Sequence, residues 1–278
     1  MATVVPAEVV IPPGITASYM VFDRDTGAVT VNADAHNRIR SASLVKLMIA
    51  LDYFDNHGAD NPIPGQDQVN LESMLRSSDD NAASALWVQE GWETIVERIV
   101  AKLGLQDTGP PDDRRFWGYT PTSAADTIAV YRYILDSADP TVRDFIMTNL
   151  HQAEPCASDG FNQFFGIPQV IAGSAYKQGW SRFGDPQNPC NQPTQPRADL
   201  GAAKEGPVGH VRAMVADVDL TSPAMHTTGT YADDRTIAAL LTLQPDNTDW
   251  DTSVEHVTQL ISDIYGQTES QQAGRQTS

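Results

Sequence analysis

The stretch "SASLVKLMIALDYF", residues 41–54, places one lysine in a run of apolar residues too dense for the surface of a helix. Such a run predicts a helix buried on all sides, in which Lys46 shares a face with Ser43 because residues three apart are neighbours. Burial lowers the pKa of a lysine, which can then take the proton of an adjacent serine hydroxyl. The stretch therefore predicts a serine nucleophile activated by Lys46, unless Lys46 extends along the helix to reach water.

The composition indicates a globular protein with a large core. The chain has 278 residues, of which 41% are hydrophobic and 19% charged. Its net charge of -18 disfavours nucleic acid and anionic lipid surfaces as partners, since affinity for both depends on Lys and Arg. The sequence has no apolar run long enough to span a membrane and no metal-binding motif among its histidines and cysteines. We therefore expect no metal, no cofactor and no membrane-spanning segment.

The two cysteines, Cys156 and Cys190, lie in loop-like sequence that offers a reduced protein no evident use for them. A disulfide between them predicts an oxidising compartment, although two unrelated free thiols are the alternative. The N-terminal residues lack the basic and apolar regions of a signal peptide. We expect an extracytoplasmic protein, secreted or in the cell envelope, whose signal or lipid anchor is absent from this sequence.

The pattern along the chain predicts strands at both ends with helices between them. Residues 18–34 and 224–244 are typical of hairpins, and residues 174–181 of a single strand. The middle of the chain is predicted to be helical, and residues 251–266 form a last amphipathic helix. This order predicts an α/β fold in an α+β arrangement: one antiparallel sheet built from both chain ends, flanked by helices, with an inserted all-helical subdomain.

The predicted boundaries are as follows. Residues 1–17 are an N-terminal extension, residues 18–265 are a single domain, and residues 266–278 are a disordered tail. Within the domain, the segments 18–56 and 168–265 form a sheet lobe, 57–167 a helical lobe, and 182–223 an insertion.

Three short motifs occur in an informative order. "SLVK" at residues 43–46 begins the buried helix, "SDD" at 78–80 lies between two helices, and "KQG" at 177–179 lies in a strand. This order resembles that of S-x-x-K, S-D-N and K-T-G in the penicillin-recognising serine enzymes, the serine β-lactamases and D-alanyl-D-alanine peptidases. A second S-x-x-K, Ser174 to Lys177, lies on a strand, where residues three apart point to opposite faces.

The resemblance implies a role for each matching residue. Ser43 would be the nucleophile that forms an acyl-enzyme, Lys46 its general base, and Ser78 the group that passes the proton to the leaving nitrogen. Lys177 would place positive charge beside the substrate carboxylate, with Gln178 and Gly179 beside it. The backbone N–H groups of Ser43 and Trp180 would form the oxyanion hole.

Three departures from the family pattern limit this implication. Asp80 stands where the family has an asparagine, and an ionised aspartate accepts hydrogen bonds but cannot donate them. It would pair with Lys46 and make that lysine a poorer base, unless the neighbouring Asn81 replaces it. Gln178 stands where the family has a hydroxyl. The loop from Gln106 to Tyr119 contains no E-x-x-L-N, and its acids Asp112 and Asp113 are typical of a solvated loop.

Two functions of different classes follow. The first is an exported serine hydrolase or acyl transferase of the penicillin-binding type, acting through Ser43 on D-alanyl peptides or β-lactams with weak deacylation; small-ester hydrolysis is a variant of it. The second is a catalytically weakened relative that binds cell-envelope ligands or proteins. The insertion at 182–223 begins at the predicted cleft, so it is either a lid or partner surface or an inert loop.

Overall fold

A computed structural model describes residues 9–190 and 218–276 of the chain. The strands are β1 (Thr16–Asp23), β2 (Ala28–Ala33), β3 (Ile39–Arg40), β4 (Pro121–Thr122), β5 (Ala175–Ser181), β6 (Ala224–Tyr231) and β7 (Thr236–Leu243). The helices are α1 (Lys46–His57), α2 (Gly65–Arg76), α3 (Asp80–Gln89), α4 (Thr94–Leu103), α5 (Ala124–Asp136), α6 (Pro140–His151), α7 (Ile167–Val170) and α8 (Trp250–Gln276). Short 3₁₀ helices span Ala42–Val45 and Trp117–Tyr119.

Both ends of the chain build one sheet. Its strand order is β2-β1-β7-β6-β5, and every neighbouring pair is antiparallel. Strands β6 and β7 are buried along their whole length because helices cover both faces of the sheet. Strand β5 therefore lies at one edge of the sheet, where it pairs with β6 alone.

Helix α1 runs through the centre of the molecule. Its residues from Lys46 to Phe54 are all buried, and it packs against α3, α4, α5 and α6. One continuous core joins α1 to these helices and to one face of the sheet, while a second core lies between the other face and α8. The residues at the start of α1 are thus held by packing from all directions.

The predicted fold class is confirmed, as are the two hairpins, the single strand at β5 and the helical middle of the chain. The C-terminal tail differs from the prediction, since α8 continues to Gln276 where we expected disorder from residue 266. The residues after Gly266 include Glu, Gln and Ala, which favour helices, and no proline. Thr268 is fully buried, so the extended helix also packs against the protein.

A disulfide joins Cys156 to Cys190, as the sequence predicts. On the chain-entropy model, closing a loop of this size stabilises the folded state by about 3 to 4 kcal/mol. The bridge ties the segment before β5 to the segment that follows it. Most of the predicted insertion, residues 191–217, lies outside the described residues. No helix in the described ranges is long and apolar enough to cross a membrane.

Candidate active site

Ser43 lies in the 3₁₀ helix that leads into α1. The residue before it, Ala42, has a φ of 45°, a left-handed conformation that is unfavourable for a residue with a Cβ atom. The side chain of Ser43 is 6% exposed and lines a cleft. Strained backbone of this kind is concentrated at functional sites, where the surrounding structure holds it in place.

The side chains of Ser43 and Lys46 are in direct contact, as the sequence predicts. Lys46 is the first residue of α1, and its Nζ lies 2.9 Å from Ser43 Oγ. Lys46 is fully buried, and its ammonium group lies over the ring of Trp117, 4.8 Å from the ring centre. The lysine therefore does not extend along the helix to water.

Burial lowers the pKa of Lys46 to about 7. The negative charges of Asp159 and Asp79 act in the opposite direction and raise this pKa. The ion pair with Asp80, described below, must also favour the charged form, since an opposite charge in contact stabilises an ammonium group. A lysine whose pKa is near 7 exchanges protons readily at neutral pH, which a surface lysine does not.

Ser78 connects the two lysines across the cleft. Its Oγ lies 3.2 Å from Lys46 Nζ and 2.8 Å from Lys177 Nζ, and its carbonyl oxygen accepts a further bond of 2.7 Å from Lys46. Ser78 has a φ of 54°, so a second residue of the site holds strained backbone. These contacts form a continuous path of hydrogen bonds from Ser43 through Lys46 and Ser78 to Lys177.

Lys177 reaches this path from the edge strand β5. Its side chain is 1% exposed. Burial lowers the pKa of Lys177 well below its usual value, and the nearby charge of Lys46 lowers it further, against the effect of Asp159. Its amine also lies 3.3 Å from the carbonyl oxygen of Gln178.

Asp80 contacts Lys46 directly. Asp79 caps the N-terminus of α3 by accepting from the backbone N–H groups of Asn81 and Ala82, so the chain turns and directs Asp80 at the cleft. The Oδ1 atom of Asp80 lies 2.6 Å from Lys46 Nζ. The Asp80 side chain is 19% exposed and lines the cleft beside Ser43. The residue that departs from the family pattern is thus part of the site.

The three residues from 178 to 180 have different surroundings. The amide nitrogen of Gln178 donates to the backbone carbonyls of Phe165, at 2.6 Å, and Gln163, at 3.2 Å, and the residue is fully buried. A Cβ atom on Gly179 would lie 3.0 Å from the carbonyl oxygen of Ser41, so this glycine lets β5 approach the Ser43 segment closely. The Trp180 side chain lines the cleft.

The cleft in front of Ser43 has a volume of about 260 Å³. Aromatic side chains form much of its wall, and carboxylates lie among them. The lining residues include Trp117, Tyr119, Phe161, Trp180, Phe183, Asp80, Asp159, Asp185 and Arg182. This cleft can hold a small acyl group or a short peptide segment against Ser43. No group of three or more possible metal ligands occurs in the described parts of the chain.

Two residues near the site carry no signal in the sequence. Asp159 accepts from the indole N–H of Trp180 at 3.1 Å, and its charge acts on both lysines. Arg40 is fully buried and donates to Ser181 Oγ at 2.8 Å and to the Asp219 carbonyl at 2.7 Å. Both lie in segments without periodicity, so only the folded chain brings them beside Ser43.

Comparison with known proteins adds two findings. No protein-family model matches the chain. Proteins named "Putative lipoprotein LppW" from Mycobacterium tuberculosis (strain ATCC 25618 / H37Rv) and Mycobacterium bovis are each 38% identical to it over 174 residues. The match covers 60% of this chain and 54% of each relative, so the chain spans about half the length of the curated relatives it matches.

Solved structures of similar fold cover nearly the whole chain. PBP-A has a TM-score of 0.61 at 16% identity, covering 94% of this chain and 92% of its own. A class A β-lactamase from Mycobacterium abscessus has a TM-score of 0.61 at 14% identity, with coverages of 91% and 93%. A β-lactamase from Chitinophaga pinensis DSM 2588 has a TM-score of 0.62 at 12% identity, with coverages of 90% and 93%. The chain therefore has the fold of the penicillin-recognising serine enzymes.

Proposed function

We propose that this protein is a serine acyl-transferring hydrolase of the penicillin-binding type, which forms an acyl-enzyme at Ser43 on D-alanyl peptides or β-lactams. The observation that carries the proposal is the 2.9 Å contact between the hydroxyl of Ser43 and the buried amine of Lys46. One neighbour of similar fold, PBP-A, is known as an acyl-enzyme complex with penicillin G.

In the proposed acylation, Ser43 Oγ attacks the substrate carbonyl while its proton passes to Lys46 Nζ. Ser78 bonds both lysines, so it can carry a proton from Lys46 to the leaving nitrogen. The backbone N–H groups of Ser43 and Trp180 would receive the developing negative charge on the carbonyl oxygen. The close approach of β5 at Gly179 supports this arrangement, because it brings the strand against the Ser43 segment.

We expect acylation to be slow. The Asp80 carboxylate, 2.6 Å from Lys46 Nζ, stabilises the ammonium form, and only the neutral amine can accept the serine proton. The same contact supports a second candidate function, in which the protein binds ligands or proteins of the cell envelope without turning them over. The word lipoprotein in the names of the mycobacterial relatives supports an envelope location for either function.

The test is intact-mass analysis after incubation with benzylpenicillin and with a reactive cephalosporin. We expect the wild-type chain and the Ser174→Ala variant to gain the mass of the opened β-lactam, while Ser43→Ala does not. Ser174 is a matched control because it begins the second S-x-x-K of the chain, whereas Lys177 bonds Ser78 instead. A ligand that binds the wild-type protein without any covalent adduct, in this chain and in every variant at Asp80, would support the binding function.

A further inference from the structure

The acyl-enzyme of any such hydrolase needs a base that activates water, and the described acids around the cleft differ in their suitability. Asp113, in the loop from Gln106 to Tyr119, is bonded to Arg115 by two ionic contacts of 2.9 and 2.5 Å. Asp107 in the same loop accepts from Ser123 Oγ at 2.7 Å and contacts His36. Neither of these two residues lines the cleft.

Asp159 does line the cleft, but its carboxylate is oriented by two donors of its own loop and strand. One oxygen accepts from the indole N–H of Trp180 at 3.1 Å, and the other accepts from the backbone N–H of Phe161 at 3.2 Å. Its effect on the lysines is electrostatic rather than by contact. Asp159 therefore sets the charge of the cleft, whereas a different carboxylate contacts the lysine that bonds Ser43.

We propose that Asp80 is the general base that activates the water hydrolysing the Ser43 acyl-enzyme, an inference that rests on the proposed function. Its Oδ1 atom is 2.6 Å from Lys46 Nζ, which is 2.9 Å from Ser43 Oγ. A carboxylate accepts hydrogen bonds at about four positions, so the bond to Lys46 leaves capacity for a water molecule. Its partial exposure places it at the wall of the cleft next to the acylated oxygen.

The proposed deacylation balances as follows. The water oxygen bonds to the acyl carbon of the Ser43 ester, and one water proton passes to the carboxylate of Asp80. The intermediate then breaks its bond to Ser43 Oγ, which takes a proton from the Lys46 ammonium group. The proton on Asp80 crosses to the neutral Lys46 amine, which restores both groups and releases the carboxylic acid product. The short contact between Asp80 and Lys46 serves this last transfer.

Asp80 therefore has opposite effects on the two half-reactions. It slows acylation, because it stabilises the ammonium form of Lys46, and it speeds deacylation, because it supplies the carboxylate that the Gln106 to Tyr119 loop does not place in the cleft. An asparagine at this position has nearly the same shape but accepts no proton. The Asp80→Asn variant thus separates the two effects without emptying the site.

The experiment follows the formation and the decay of the Ser43 adduct in the full chain by time-resolved intact mass, with hydrolysis measured by loss of β-lactam absorbance. We expect Asp80→Asn to acylate faster than the wild type and to deacylate about 100-fold more slowly, the usual size of a general-base contribution. Its adduct should accumulate. Asp112→Asn and Asp113→Asn, matched changes of acid to amide in the neighbouring loop, should leave both rates within about twofold of the wild type.

A chemical rescue distinguishes a base from a merely structural carboxylate. In Asp80→Ala, added formate should accelerate decay of the adduct, since a small carboxylate can occupy the vacated space and accept the proton; acetamide, of similar size but not a base, should not. A Ser43 adduct that decays at the wild-type rate in Asp80→Asn would overturn the role of Asp80 and leave the proposed function standing. The absence of a Ser43 adduct from every variant would overturn both.

Discussion

Two buried charges lie on helix α1, and they are held in different ways. Lys46, at the start of the helix, is shared among two serine hydroxyls, a carbonyl oxygen and the carboxylate of Asp80. Asp52, further along the helix and also fully buried, is bound by the guanidinium of Arg98 through contacts of 2.7 and 2.5 Å. One arrangement can move protons, whereas the other cannot.

The difference comes from the chemistry of the cations. Arg98 has its pKa raised, chiefly by the bond to Asp52, and it remains charged at every accessible pH. The Arg98 fork matches both oxygens of the carboxylate, so this pair stabilises the fold. Lys46 has a pKa near 7 and a single nitrogen bonded to groups that can themselves exchange protons. The comparison teaches that burial of a charge alone does not indicate catalysis; the partners of the charge do.

The largest effect is expected from Lys46→Met, which removes the amine but keeps the volume of the side chain. We expect the rate of Ser43 acylation to fall about 1,000-fold, equal to about 4 kcal/mol in activation free energy, because the serine loses its general base. The free energy of unfolding should change by less than about 1 kcal/mol, since replacing a buried ion by an apolar group is often neutral. Adduct formation by mass and urea unfolding give the two quantities. A large loss of stability with acylation retained would contradict the assignment of Lys46 to chemistry.

Arg98→Ala should give the opposite result. It leaves the carboxylate of Asp52 buried without its partner, and we expect the free energy of unfolding in urea to fall by about 3 kcal/mol while acylation at Ser43 is unchanged. The matched control is Lys102→Ala on the same helix, α4. Lys102 pairs with Asp55 of α1, but both side chains are more than a third exposed, so the loss should be within about 1 kcal/mol. Equal losses in the two variants would show that burial of Asp52 does not set the cost.

The smallest effect concerns His226, a third buried titratable group, which stays neutral instead of pairing with an acid in the described structure. Its Nε2–H donates to the Arg40 carbonyl and its Nδ1 accepts from the Thr242 N–H, and burial lowers its pKa to about 4. The unfolded chain therefore binds a proton at this position, near its ordinary pKa of about 6.5, before the folded chain does. Stability contributed by the neutral histidine is present above about pH 6.5 and is lost as the pH falls towards 4.

Between pH 7.5 and pH 5 we expect this single group to lower the free energy of unfolding by about 2 kcal/mol. Urea unfolding of the wild type and of His226→Gln at the two pH values measures the contribution, because the variant should lose about 2 kcal/mol less on acidification. His256→Gln, a change at a half-buried histidine on α8, should keep the pH dependence of the wild type. An identical pH dependence in His226→Gln would refute the buried neutral histidine.

The order of strands and helices, the buried helix that carries Ser43 and Lys46, and the disulfide were all predictable from the sequence. Each depends on a local pattern: an apolar run of helical length, alternating residues around a turn, or two cysteines in loops. The contact between Ser43 and Lys46 was predictable for the same reason, since residues three apart on a helix must share a face.

Other features depended on the tertiary structure. Asp80 and Lys46 are far apart in the sequence, and their contact exists because α3 begins against α1. Gln178 was expected to bind substrate, but its amide donates to two backbone carbonyls, a contact that no pattern on β5 reveals. Asp159 reaches the cleft through a loop without periodicity. Local sequence determines backbone geometry and the face on which a side chain lies, whereas its partners depend on packing between segments distant in the chain.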